Sequence, residues 1–192
     1  MIQTISIEKL NEFQRVIQKF FPEKKVIIAG GAPRDILHGK KVKDIDVFIE
    51  SKLFPKFSLI EAIGDMLHTE PTFIEDDTAY NKAFEIVNYD RGPCMLPVQL
   101  IFPRRDPVQD IKENFDYGLC QVWLDGGRKI HTTPAYWRDH NSKTFHFLLE
   151  GGGSASSDHT ERLQAKYPEW RFQGHWELSR ETEPRKTAVR PF

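Results

Sequence analysis

The run from Val26 to Ile49, VIIAGGAPRDILHGKKVKDIDVFI, admits few folds. It starts with four residues of buried-strand character, Val26 to Ala29, and breaks at Gly30-Gly31. A short helical segment from Pro33 to Leu37 and a basic loop from Gly39 to Lys43 follow. The run closes on a second strand in which Asp44 and Asp46 alternate with Ile45 and Val47. Side chains two apart on a strand share a face. Both carboxylates therefore point one way, while Ile45 and Val47 enter the core. Two acids held side by side repel unless a cation lies between them. Mg2+ suits such a pair, because it takes a few carboxylate oxygens and completes its shell with phosphate and water; Mn2+ accepts the same oxygen donors.

A glycine pair between a strand and a helix permits positive φ and close backbone approach, and lets N–H groups at a helix start face an anion. Gly30 and Gly31 thus read as a phosphate cradle one strand away from metal ligands Asp44 and Asp46. That combination fits transfer of a nucleotidyl group from an NTP, with metal ions bridging phosphate, nucleophile and leaving group. Arg34 and Lys43 are placed to add charge-assisted phosphate contacts. Arg34 has a rival role, pairing with Asp35 or another acid to hold the motif, and Asp35 reads as orienting the loop.

Gly30-Gly31-Ala32-Pro33-Arg34-Asp35 followed by Lys43-Asp44-Ile45-Asp46 resembles the head domain of class II CCA-adding enzymes and bacterial poly(A) polymerases. These belong to the nucleotidyltransferase superfamily that includes DNA polymerase beta. The family pattern is a strand, GG-x-x-RD, a loop and an acid-x-acid strand. The resemblance spans roughly residues 23 to 131 and is strongest over 26 to 49. It implies an α/β (α+β) nucleotidyltransferase fold, with a mixed sheet of about five strands and flanking helices. It also implies that Asp116 matches the family aspartate near the ribose or base of the incoming nucleotide. The two arginines that precede that aspartate in the family are absent, and Glu113 and Asn114 stand nearby; Arg104-Arg105-Asp106 precedes a helix instead and is a decoy. The family's third carboxylate has no counterpart, since Val98-Gln99-Leu100-Ile101 puts a glutamine in its slot. Glutamine offers a carbonyl but no charge.

Elsewhere the chain reads as ordinary globular protein, with 39% hydrophobic and 29% charged residues. Helices are expected from Ser6 to Phe21, from Ser58 to His68, and from Pro107, capped by Asp106, to about Asn114; another runs from Thr132 to Asp139. Ala83 to Asp90 and Pro97 to Phe102 read as a hairpin extending the sheet, with a short strand at Thr72 to Ile74 and a second hairpin in which a strand through Val122, ending at Asp125-Gly126-Gly127, turns into Arg128 to His131. Residues 1–150 form the head-like unit. Residues 151–192 hold a Gly/Ser linker, a helix from Asp158 to Tyr167, and a tail whose Trp170, Phe172 and Trp176 read either as docking back on the core or as stacking platforms for nucleic-acid bases. Glu75-Asp76-Asp77 reads as an acidic turn.

No apolar run approaches a membrane span, no signal peptide precedes the first helix, and Cys94 and Cys120 read as two reduced thiols, all of which points to the cytoplasm. The seven histidines show no metal-ligand spacing, so no zinc site is expected. A formal charge of −1 argues against coating duplex nucleic acid, but not against gripping one RNA end or one triphosphate. The reading is a metal-dependent nucleotidyltransferase that passes NMP from an NTP to a hydroxyl, with an RNA or tRNA 3′ end, a protein hydroxyl and a small molecule all open as acceptors. The alternative is a nucleotide-binding or interaction module on the same fold with weakened chemistry, and a third reading is a subunit that needs an RNA-binding partner.

Overall fold

Ser6 opens the first helix: its side chain accepts from the Lys9 amide at 3.3 Å, and helix α1 runs Ile7–Phe20 with Leu10, Phe13 and Ile17 buried on one stripe. The computed structural model describes residues 5–51, 55–73, 83–127, 129–148 and 157–174. After α1 come β1 (Val26–Ala29), α2 (Gly31–Leu37), β2 (Ile45–Ile49), α3 (Phe57–Leu67), β3 (Thr72–Phe73), β4 (Ala83–Tyr89) and β5 (Val98–Pro103). The chain continues through α4 (Pro107–Asn114), β6 (Val122–Leu124), β7 (Ile130–Thr132), α5 (Pro134–Ser142), β8 (Thr144–His146), α6 (Ser157–Lys166) and β9 (Arg171–Gln173). Asp106 caps α4 through two amides, and Thr133 caps α5, each with proline just inside the helix as the sequence implied.

Among the described residues seven strands form one mixed sheet in the order β3-β4-β5-β2-β1-β6-β7, and β8 and β9 pair in parallel as a separate ribbon. The expected five strands are exceeded because the short segments at Thr72 and Ile130 both join as edges. β2 lies centrally, antiparallel to β1 and parallel to β5. A central strand is covered on both sides, which explains why Phe48, on the same side as Asp46, is fully buried like Val47.

One sheet face, with Val26, Ile28, Ile45, Val47, Ile49 and Leu100, packs against α1 and α3. The other, with Ile27, Ala29, Phe48, Ile101 and Trp123, packs against Ile111 of α4 and Phe115. A third apolar cluster joins Tyr117, Leu119, Tyr136 and Phe145 to Leu163, Tyr167 and Trp170. The C-terminal helix, expected as an appendage, is thus knitted into the region that follows α4. Trp170 is 7% exposed and Phe172 packs beside it, as the docking reading anticipated. The linker at 151–156, the acidic turn at 75–77 and Trp176 lie outside the described residues.

Candidate functional site

The register of β2 builds the site. Asp46 pairs with Ala29 on one side and with Gln99 on the other, and Gln99 pairs in turn with Asn88. Residues paired across neighbouring strands share a face, so Asn88, Gln99 and Asp46 form a polar row on the α4 side of the sheet. Asn88 Oδ1 is buried without a hydrogen-bond partner among the described residues. Asp44 lies just before β2, partly exposed, and Lys43 Nζ is 3.3 Å from its carboxylate. Burial, and next the negative charge of Asp44, push the Asp46 carboxyl up to about 7; Lys43, Arg34 and His159 oppose the rise. A buried acid whose ionisation is opposed by a neighbouring carboxylate is short of positive charge.

Beside them the chain bends at Gly30, where φ is +71°, before α2 begins at Gly31. A Cβ at Gly30 would stand 3.1 Å from the Phe115 ring, so the bend needs glycine both for its dihedral and for the aromatic packed beneath it. The expected role of Gly30 as a phosphate donor is corrected here: its N–H donates to the Val122 carbonyl at 3.0 Å and closes β1 on β6. At any helix start the first amides lack intrahelical acceptors. Gly31 and Ala32 hold those places, and Pro33 has no N–H to offer.

Arg34 is turned inward and is 4% exposed. Its Nε donates to Asp35 Oδ1 at 2.9 Å, its Nη2 lies 2.8 Å from the same oxygen, and its Nη1 donates to Cys120 Sγ at 3.1 Å. Burial alone would lower its affinity for a proton, but Cys120, Asp35 and Tyr167 outweigh burial and keep the guanidinium charged. Of the two roles read from the sequence, the pairing role is the one this geometry supplies, and its reach toward the acid pair is electrostatic. Asp35, 1% exposed, also accepts from Lys166 Nζ and, at 3.2 Å, from the Tyr167 hydroxyl. The RD dipeptide therefore clamps α6.

Asp116 follows α4 and has a half-buried carboxylate whose Oδ2 is 2.7 Å from His159 Nδ1. His159 comes from α6, held there by the Tyr117 hydroxyl against Thr160 Oγ1 at 2.9 Å. Burial lowers the basicity of its imidazole, but the hydrogen bonds and charges of Asp116 and Cys120 outweigh burial and lift it to about 10. Among the described residues Asp116, Cys120 and His159 bring one ligand atom each within 4.8 Å of one another. Spacing along the chain gave no sign of this cluster, which is assembled by the contact of α6 with the turn after α4. The helical phase of α6 puts His159 and Lys166, seven apart, on one flank of the Thr160-Leu163-Tyr167 stripe. That pattern says the two share a side without saying what the side meets. The Arg104-Arg105-Asp106 triplet is the decoy expected, with Asp106 capping α4 and Arg105 pairing with Glu113.

A family model described as "Gabija anti-defense 2 family protein" matches residues 7–143. No curated protein is matched by the chain. The fold is similar to that of the Thermotoga maritima CCA-adding enzyme complexed with tRNA, at TM-score 0.62 and 19% identity over 92% of this chain and 42% of that one. It is also similar to CCA-adding enzymes in complex with ATP (TM-score 0.61, 17% identity, 91% of this chain and 41% of that one) and with CTP (0.60, 18%, 91% and 42%). The chain spans less than half the length of these enzymes, and at such identity the likeness establishes the nucleotidyltransferase fold. No helix among the described residues is long and apolar enough to cross a membrane.

Proposed function

The chain belongs to the Gabija anti-defense 2 family, and from that premise we propose that it acts against the Gabija defence by transferring NMP from an NTP to a hydroxyl acceptor. The observation that carries this reading is the acid pair: Asp44 and Asp46 at the head of a central strand, beside the Gly30-Gly31 bend, with the Asp46 carboxyl raised by burial and next by its neighbour. A donor set of two carboxylates with the Gln99 carbonyl in register fits a hard cation such as Mg2+ or Mn2+. When bound there, such an ion lowers the cost of charge on an attacking hydroxyl and on the leaving pyrophosphate.

The chain's own groups supply the rest. Gly31 presents its amide at the start of α2, where the helix field favours a phosphate. Lys43, with a side chain 65% exposed, turns from Asp44 to a triphosphate with little loss, because exposed ion pairs contribute little. Arg34, fixed behind the bend, adds positive field from within. Asp116 borders the nucleotide site, tethered by His159. The relatives complexed with tRNA, ATP and CTP support an NTP as donor and an RNA end as one acceptor class; protein and small-molecule hydroxyls fit the same chemistry.

Gln99 favours a second reading. A neutral amide stands where the resembling enzymes carry an acid, so the chain would hold a nucleotide with little turnover and act by sequestration or contact. One paired experiment separates the two. Pyrophosphate release is measured for each NTP with Mg2+ or Mn2+ in the presence of total RNA and lysate, for the wild type and for Asp44→Ala/Asp46→Ala. The same two proteins are expressed in cells carrying Gabija. Transfer predicts metal-dependent release and loss of anti-defence activity in the double variant. Retention of anti-defence activity by that variant, without turnover in the wild type, would establish the binding module in its place.

A further inference from the structure

The cluster of Asp116, Cys120 and His159 lies outside the hard-cation donor set, and its chemistry is different. We propose that these three side chains form a binding site for a borderline or soft divalent transition metal, zinc foremost, separate from Asp44 and Asp46. A thiol sulfur, an imidazole nitrogen and a carboxylate oxygen within 4.8 Å of one another are the donor types that zinc selects over magnesium. Donors around a tetrahedral zinc at about 2.0–2.3 Å are separated by about 3.5 Å. Small side-chain rotations bring the three atoms to that spacing.

Each donor is held by structure that does not depend on a metal. Cys120 ends a 3-10 turn, Gly118–Cys120, pinned from behind by fully buried Asp139, whose Oδ2 accepts the Leu119 amide at 3.0 Å. Gly118 lies so close to α5 that a Cβ would meet the Ala135 carbonyl at 2.5 Å, which locks the turn in place. The Asp116 carbonyl accepts the Leu148 amide at 2.8 Å. His159 rides on α6 between the Thr160–Tyr117 hydrogen bond and the buried flank of Leu163 and Tyr167.

The surroundings suit a bound dication. Arg34 Nη1, 3.1 Å from Cys120 Sγ, supplies the N–H···S contact that steadies a coordinating thiolate, and its own charge is answered by Asp35. One thiolate and one carboxylate then balance the metal's two charges. The ion would take the position of the proton shared by His159 Nδ1 and Asp116 Oδ2, and the imidazole and thiol protons would pass to solvent. Cys120 is 3% exposed, whereas the His159 and Asp116 side chains are 30% and 15% exposed, so the cluster opens to solvent on the α6 side. Three protein donors leave a fourth position for water or a substrate group. The site also joins α6 to the turn after α4, making the C-terminal helix a metal-stapled part of the head.

The test is a cobalt titration of the purified, metal-stripped full chain, with Co2+ as the probe and Zn2+ as competitor. Thiolate-to-cobalt charge-transfer absorption should appear with one ion per chain, be displaced by Zn2+ and be unaffected by Mg2+. It should survive Cys94→Ser and Asp44→Ala and be lost in Cys120→Ser and His159→Gln. Absence of the band in the wild type, or its survival in Cys120→Ser, overturns the site. If either loss variant fails to fold, Cys94→Ser and wild type still decide: a saturable band in both, with a zinc-dependent rise in Tm, supports the proposal, and a band that disappears with Cys94 overturns it. The spectrum is read without nucleotide, so the outcome is independent of transferase activity.

Discussion

Asp46 of β2 and Gln99 of β5 stand directly in register across a parallel strand pair, with their side chains on one sheet face. In the proposed metal site, two acids thus differ from three by a single amide. Gln99→Glu should strengthen Mg2+ binding about tenfold, the effect of one added charge at close range, and raise metal-dependent turnover. Calorimetric titration of Mg2+ and the metal dependence of pyrophosphate release measure both. An unchanged affinity would mean that residue 99 does not reach the ion.

The Asp46 carboxyl provides a pH signature. Its ordinary value is 3.8 and the fold pushes it up to about 7. Between those values the native state keeps a proton that the unfolded chain releases, so stability from this group is complete below about pH 4 and is lost as pH rises through about 7. In EDTA, the stability gap between Asp46→Asn and wild type should therefore move in favour of the variant from about pH 5 to about pH 8, as read by urea unfolding. Mg2+ binding by the wild type should weaken as pH falls below about 7, because the proton competes with the ion. Parallel urea curves at both pH values would refute the burial of a charge-starved acid.

The His159–Asp116 pair runs the same way at higher pH. In metal-free protein the imidazole is lifted from 6.5 to about 10, so its contribution is complete below 6.5 and disappears as pH rises through about 10. His159→Ala should cost about 2 kcal/mol near neutral pH, the size of a charge-assisted hydrogen bond, and nothing above about pH 10. Thermal melts across that range, with an NMR titration of the His159 ring, check it. A constant cost at all pH values would mean packing alone is lost.

Asp35 anchors the C-terminal end of α6, accepting from Arg34, Lys166 and Tyr167 while 1% exposed. Asp35→Ala leaves the Arg34 guanidinium buried without its partner and should cost about 3–5 kcal/mol. Limited proteolysis should then cut within α6 before the head, and Asp35→Asn, which keeps the acceptor oxygen, should cost less. Equal costs for the two variants would show that charge does not matter there.

Much of the fold was legible because its causes are short-range. Ser6, Asp106 and Thr133 cap helices through amides two or three residues away, and the alternation of Asp44, Ile45, Asp46 and Val47 assigned faces before any coordinates. The strand at Ile130 was visible as half of a hairpin with the strand before Asp125, as it proves to be, but that hairpin enters the sheet only through β6 against β1, some ninety-five residues back along the chain. Arg34 shows the boundary within one residue. Its two roles were both written in the motif, and only the burial of Asp35 and Cys120 around it gave weight to one.

The strand, the glycine bend, the basic loop and the acid-bearing strand were determined by the sequence itself, because each rests on dihedral preference and side-chain alternation among close neighbours. Tertiary structure alone decided that the Gly30 amide closes on Val122, that Lys166 reaches Asp35 across 131 residues, and that His159 meets Asp116 across 43. Those contacts depend on where packed elements come to lie, and no local preference in the residues between them encodes that.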